Sequence, residues 1–207
     1  MKICNLEFRI SKFEILLALL SWILLLGVSW ALAQGEVSGM KKVVMIIAQE
    51  NFRDEELFVP KEILEQNGIE VLIASTSLNP AKGVLGKKAQ PDILVRDIDI
   101  KDFSALIFVG GSGAAQYWDD PLAHKLIKDA LALERVVAAI CIAPVTLAKA
   151  GILKGRRATV FSSEAAQLKA NGANYTGTGV EKDGKIITAS GPAAAKDFGE
   201  EILKALQ

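Results

Sequence analysis

Short apolar runs alternate with charged, helix-like segments along most of this chain. Runs typical of buried strands occupy residues 41–49, 69–75, 104–111 and 135–143. Segments with helical spacing of apolar residues occupy 51–68, 120–134 and 191–207. Strands that alternate with helices are typical of a parallel sheet covered by helices on both faces. The sequence therefore predicts an α/β fold with a mostly parallel central sheet.

The remaining segments fit the same architecture. Residues 144–155 read as a further helix, 157–163 as a fifth strand, and 180–190 as a hairpin around Asp183-Gly184. Residues 78–92 are predicted to be a loop that contains a small hairpin. In such folds, ligands bind beyond the carboxyl ends of the strands. We therefore look for the functional site where the strands end.

The first 33 residues differ from the rest of the chain. Basic residues up to Lys12 precede the uncharged stretch 15–33, which ends in Ala-Leu-Ala. This order predicts a secretory signal peptide at 1–33, and an uncleaved membrane anchor is the alternative. Residues 34–40 are then a linker, and 41–207 form a single domain. We expect an exported protein, periplasmic or extracellular, that contacts a membrane only if residues 15–33 are retained.

The charge pattern excludes some partners. The chain has 24 Lys and Arg against 24 Asp and Glu, and it contains no basic stripe, so we expect no nucleic acid partner. The single histidine, His124, lies within a charged helical segment and reads as a surface residue. Because no His, Cys and carboxylate cluster has the spacing of metal ligands, we expect no metal site.

Cys141 stands at a junction between two predicted elements. A strand of small apolar residues leads into it, and Pro144 suits the first turn of the next helix. Such a corner resembles the nucleophile elbow of hydrolases, and a helix N-terminus favours a thiolate. The alternative is a buried, inert thiol that only ends a core strand. If the leader is removed, Cys4 goes with it and Cys141 is the only thiol.

Two other features lie at predicted strand or helix ends. Gly110-Gly111 follows a buried strand, and the amides of Gly111 and Ile142 are placed to stabilise an oxyanion. Glu56 belongs to an acidic group at the start of the first helix, where the helix dipole alone explains carboxylates. A role for Glu56 in proton transfer requires that it face Cys141.

Four stretches together resemble the ThiJ/PfpI superfamily over nearly all of residues 41–207: DEELFVP, LIFVGGSG, AAICIAPVTLAKAGILKGRRAT and VEKDGKIITASGP. The resemblance implies a flavodoxin-like three-layer sandwich that forms a homodimer or a higher homo-oligomer. It also implies that Cys141 is the nucleophile, that Glu56 hydrogen-bonds its sulfur, and that Gly111 and Ile142 supply oxyanion amides. No cofactor is implied.

One departure bears on the reaction. PfpI-type members carry histidine directly after the nucleophile, where this chain has Ile142, and Ser162 and Ser163 stand where some members have a second histidine. Cleavage of a peptide bond needs a positioned proton donor for the leaving amine, so a PfpI-like cysteine peptidase is an alternative only. We predict a cofactor-free, cysteine-dependent hydrolase or lyase of small reactive carbonyls. A redox-sensing stress protein that works through Cys141 oxidation is the other alternative.

Overall fold

A computed structural model describes residues 41–207, so the predicted leader (1–33) and linker (34–40) lie outside the described residues. The strands in chain order are β1 (Lys42–Ile46), β2 (Glu50–Phe52), β3 (Glu70–Ser75), β4 (Ala81–Gly83), β5 (Lys88–Ala89), β6 (Ile93–Leu94), β7 (Ala105–Phe108), β8 (Val136–Ile140), β9 (Arg157–Ala158), β10 (Asn174–Tyr175), β11 (Val180–Asp183) and β12 (Ile186–Ala189). The helices are α1 (Asp54–Gln66), α2 (Pro121–Ala132), α3 (Pro144–Lys149), α4 (Ala165–Ala170) and α5 (Ala195–Leu206).

Seven strands form the central sheet in the order β11-β12-β8-β7-β1-β3-β6. All neighbouring pairs are parallel except β11 and β12, which form the predicted antiparallel hairpin. The chain builds outward from β1 in both directions, so β1 and β7 flank the point where the strand order reverses. The prediction of an α/β fold with a mostly parallel sheet is confirmed.

Side chains of the central strands alternate between two apolar layers, as the two-residue period of a strand requires. In β1, Val43 and Met45 pack on the side of α1 and α5, whereas Val44 and Ile46 pack on the side of α2 and α3. Both layers consist of fully buried aliphatic and aromatic residues. The sheet with a helical layer on each face is the predicted three-layer sandwich.

Two segments that were predicted as single elements are divided. The predicted helix 51–68 begins at Asp54, because residues 50–52 form β2 in a small three-stranded sheet with β4 and β5. The predicted strand 157–163 is limited to β9, which pairs with β10 outside the central sheet. Beyond β9, the chain turns toward Cys141, whose carbonyl oxygen accepts the N–H of Phe161 at 2.8 Å.

Other predictions agree closely with the structure. Residues 78–92 contain the antiparallel pair β4 and β5. Asp120 caps α2, since its Oδ1 accepts the N–H of Leu122 at 3.0 Å. The helix predicted over 144–155 ends earlier, at Lys149, and continues as turns. Within residues 41–207, no helix is both long and apolar enough to cross a bilayer.

Candidate active site

Cys141 is the first residue after β8, and its backbone has φ of 63°. A residue with a Cβ rarely adopts this left-handed conformation, so the surrounding structure must hold it there. The N–H of Cys141 donates to the carbonyl of Ala189 at 2.9 Å. The backbone thus turns sharply at the end of the strand, as in a nucleophile elbow. The side chain is buried, with only 8% of the residue exposed.

Glu56 reaches the same point from the first turn of α1. The residue is fully buried, and its Oε2 accepts the N–H of Gly110 at 3.1 Å. The thiol of Cys141 lies where it can donate to the Glu56 carboxyl. The other carboxyl oxygen, Oε1, is buried and has no hydrogen-bond partner among the described residues. The condition set by the sequence, that Glu56 face Cys141, is met.

Gly110 permits this close approach. A Cβ at residue 110 would overlap both the Cβ of Cys141 and Oε2 of Glu56. Gly111 has φ of 94° and leaves no room for a side chain against the backbone of residues 51–53. The glycine pair predicted at the end of β7 therefore lets the carboxyl, the thiol and two backbone amides converge.

The backbone N–H groups of Gly111 and Ile142 are directed at the sulfur of Cys141. Both hydrogen bonds lower the pKa of Cys141. Two N–H donors therefore converge on the sulfur. The carbonyl of Ile142 is held in turn by Nε1 of Trp118 at 3.2 Å.

The protonation of the thiol differs from the sequence-based expectation. Burial, followed by the negative charge of Glu56, raises the pKa of Cys141 to about 12. The helix N-terminus predicted from the sequence favours a thiolate, but the burial of the sulfur and the carboxyl group beside it act in the opposite direction. The residues around Cys141 in the sequence indicate neither the burial of the sulfur nor the carboxyl group beside it.

Burial also raises the pKa of Glu56 to about 7, although hydrogen bonds from Cys141 and Gly110 and the charge of Arg53 oppose the rise. A carboxyl group with a pKa near neutrality can both accept and return a proton at that pH. The buried pair therefore holds a neutral thiol next to a base of suitable strength.

Two residues that the sequence analysis did not single out, Arg53 and Phe161, lie at the site. Arg53 donates its N–H to the carbonyl of Gly110 at 2.9 Å, and its guanidinium forms a two-pronged ion pair with Glu55 at 2.9 and 3.1 Å. Phe161 bonds to the backbone of Cys141. The position of Arg53 directly before the acidic group was the only local signal for any of them.

The other polar residues of interest lie elsewhere. Nε2 of His124 contacts the carbonyl of Trp118 at 2.8 Å and does not reach the thiol. The hydroxyl of Ser163 donates to Glu164, and both Ser162 and Ser163 are exposed. In residues 41–207, no group of three His, Cys, Asp or Glu side chains has the arrangement of a metal site.

Comparison with known proteins gives a consistent result. The profile of the DJ-1/PfpI family matches residues 41–205. An uncharacterised protein of Methanocaldococcus jannaschii is 43% identical over 169 residues, which are 80% of this chain and 82% of that protein. A glutathione-independent glyoxalase of Caenorhabditis elegans is 26% identical, over 83% of this chain and 91% of that protein.

The fold agrees with solved structures of the same kind. The crystal structure of a ThiJ/PfpI domain protein from Brachyspira murdochii superposes with a TM-score of 0.79 at 33% identity. The match covers 81% of this chain and 98% of that chain.

Proposed function

The chain belongs to the DJ-1/PfpI family, and from that membership we propose that it converts small 2-oxoaldehydes to 2-hydroxy acids, with Cys141 as nucleophile and Glu56 as general base. One observation carries the proposal: a buried carboxyl group with a pKa of about 7 lies against a buried, neutral thiol. General bases work best when their pKa is near the operating pH. The glyoxalase relative supports the choice of substrate class.

The first step forms a bond between the sulfur and the aldehyde carbon. The thiol proton moves to Glu56 as the carbonyl π pair moves onto oxygen, and the amides of Gly111 and Ile142 stabilise that oxygen. Glu56 then returns the proton to the oxygen, which gives a hemithioacetal. No charged group leaves the site during this exchange, which suits a pair buried away from water.

The second half of the reaction is an internal oxidation and reduction. Glu56 removes the hydrogen on the former aldehyde carbon as a proton, and a proton returns to the neighbouring carbon. The hydroxyl proton on the first carbon's oxygen is lost as the oxygen of the second carbon gains one. The first carbon is thereby oxidised to a thioester and the second is reduced to an alcohol. Water then cleaves the carbon–sulfur bond, so the 2-hydroxy acid leaves and the thiol is restored. No external oxidant, reductant or cofactor is needed.

The other two predicted functions have less support. A peptidase needs a donor to the leaving amine, and His124, the one histidine, is bonded to the carbonyl of Trp118. Redox sensing works best through a thiolate, whereas burial raises the pKa of Cys141 to about 12. Both remain predictions, and the experiment below also examines redox sensing.

The test measures conversion of methylglyoxal to lactate by the protein and by three variants. We expect Cys141→Ala to abolish turnover and Glu56→Gln to lower kcat at least about 100-fold, the lower end of a general base's contribution. Glu62→Gln, on an exposed position of the same helix, is the matched control and should retain wild-type turnover. Full activity of Cys141→Ala would refute the mechanism, and sulfinate formation by peroxide without any turnover would favour redox sensing.

A further inference from the structure

Phe161 is an exposed aromatic residue whose backbone is hydrogen-bonded to that of Cys141. Its backbone N–H donates to the carbonyl of Cys141 at 2.8 Å, so the two residues are adjacent in space. The residue is 42% exposed, although most phenylalanines of the described chain are buried. An exposed aromatic ring next to a reactive group is a candidate contact for a ligand.

A glycine fixes the position of the Phe161 ring. A Cβ at Gly191 would lie 3.1 Å from Cδ2 of the ring, so the ring rests on the bare backbone of that residue. Gly191 follows β12, in which the carbonyl of Ala189 accepts the N–H of Cys141 at 2.9 Å. Phe161 and Gly191 therefore flank Cys141 on the β12 side, opposite Gly110 and Gly111 on the β7 side.

The positive charge of Arg53, which acts on Cys141, is already paired with a carboxylate. Arg53 is the cation close enough to affect both Glu56 and Cys141, and its guanidinium is held by both oxygens of Glu55. A ligand at the nucleophile therefore meets a cation, Arg53, that is already paired with a carboxylate. This environment favours an apolar substituent on the substrate over a charged or hydrated one.

We propose that Phe161 is the specificity-determining residue of the site and that it selects 2-oxoaldehydes with an apolar group on the ketone carbon. The proposal rests on the proposed function and names the substrate class within it. The bonds that form and break are those given above, since the substituent stays attached to the second carbon throughout. Phe161 contacts the substituent and takes no part in proton transfer.

The test compares kcat/KM for glyoxal, methylglyoxal and phenylglyoxal in the protein, Phe161→Ser and Phe161→Leu. Removal of one apolar contact surface from a specificity pocket changes discrimination by about tenfold or more. We expect Phe161→Ser to lower the phenylglyoxal-to-glyoxal ratio about tenfold while kcat/KM for glyoxal is unchanged. Phe161→Leu keeps an apolar side chain and should retain most of the ratio. Leu133→Ser, at a residue 40% exposed at the end of α2, is the matched control and should leave the ratio unaltered.

A second readout does not depend on turnover. The rate of Cys141 alkylation by N-benzyl iodoacetamide, relative to iodoacetamide, should also fall in Phe161→Ser and not in Leu133→Ser. Turnover of all three aldehydes with ratios that Phe161→Ser does not move would overturn this inference and leave the proposed function standing. Absence of turnover for every aldehyde would overturn the proposed function and the substrate assignment together, and the alkylation ratio would then report the apolar contact alone.

Discussion

At the scale of single residues, the backbone of Cys141 is the most unusual feature of the site. Its φ of 63° costs a residue with a Cβ about 1 kcal/mol relative to glycine. The conformation is held by hydrogen bonds to Ala189 and Phe161 on either side of the turn. This backbone conformation directs the side chain toward Glu56 and the two amides, which is the arrangement that the proposed nucleophile requires.

This strain predicts an inverted order of stability for two variants. At an ordinary buried position, glycine is less stable than alanine by roughly 1 kcal/mol. At Cys141, we expect Cys141→Gly to be at least as stable as Cys141→Ala in urea unfolding, because glycine adopts this φ freely. Ala139→Gly, in the neighbouring strand β8, is the control and should lose stability. The account would be contradicted if Cys141→Gly were less stable than Cys141→Ala by as much as Ala139→Gly is less stable than the wild type.

At the scale of elements, Asp54 joins the start of α1 to the loop between β4 and β5. Its Oδ2 accepts the N–H of Leu85 at 2.7 Å, and its Oδ1 accepts the N–H of Lys87 at 2.9 Å. The carboxyl group is buried and packs against Gly83. Because Glu56 lies in the same helical turn, this attachment also fixes the helix end that presents Glu56 to Cys141.

We expect Asp54→Asn to destabilise the protein by about 2 kcal/mol, since the amide retains one acceptor and turns an NH2 group toward the other N–H. Hydrogen exchange at the amides of Leu85 and Lys87 should become faster. Asp120→Asn is the matched control, because asparagine caps a helix as well as aspartate does and the cap of α2 needs one acceptor only. Equal losses of stability in the two variants would show that the two-pronged attachment contributes no more to stability than a single helix cap.

The sequence predicted most elements because their apolar residues carry the signal. The runs that became β1, β3, β7 and β8 are buried on both faces, and their composition indicates this directly. The strand β2 was missed because Glu50-Asn51 is polar and its pairing partners lie beyond α1. The prediction that β9 continues through Phe161 was wrong. Sequence alone does not distinguish an apolar residue that is exposed near a site from one that is buried in a strand.

The sequence predicted only the part of the site that depends on local residues. A strand–turn–helix corner identifies Cys141 as a candidate from local residues alone. The meeting of Glu56 with that thiol depends on how α1 packs across the sheet, so the family resemblance supplied it and the structure located it. The rise of the thiol pKa was not predictable from the residues around Cys141, because burial causes it together with Glu56, which lies far away in the sequence.

At the scale of the whole molecule, burial of Glu56 makes folding stability depend on pH. The folded pKa of about 7 lies above the ordinary value of 4.5. The folded state therefore keeps a proton that the unfolded chain has already released between these values. The stabilisation is complete below pH 4.5 and is lost as the pH rises through about 7. The shift corresponds to roughly 3 kcal/mol.

Glu56→Gln removes this dependence and should unfold at higher temperature than the wild type at pH 8. The difference should shrink toward pH 5, where the wild-type carboxyl is itself protonated in the folded state. Thermal unfolding at several pH values measures both trends, and Glu62→Gln serves as the control that should follow the wild type. A Glu56→Gln variant less stable than the wild type at pH 8 would mean that the ionised carboxylate supports the fold.

The central claim is that Glu56 activates Cys141 by accepting its proton, and the most direct test is the rate of Cys141 alkylation by iodoacetamide against pH in wild type and Glu56→Gln. The account predicts that the wild-type rate rises with a midpoint near pH 7, where Glu56 becomes a base. In Glu56→Gln, the rise near pH 7 should vanish, and the rate should increase only in the alkaline range, because burial still raises the pKa of the thiol. Identical profiles for the two proteins would contradict it.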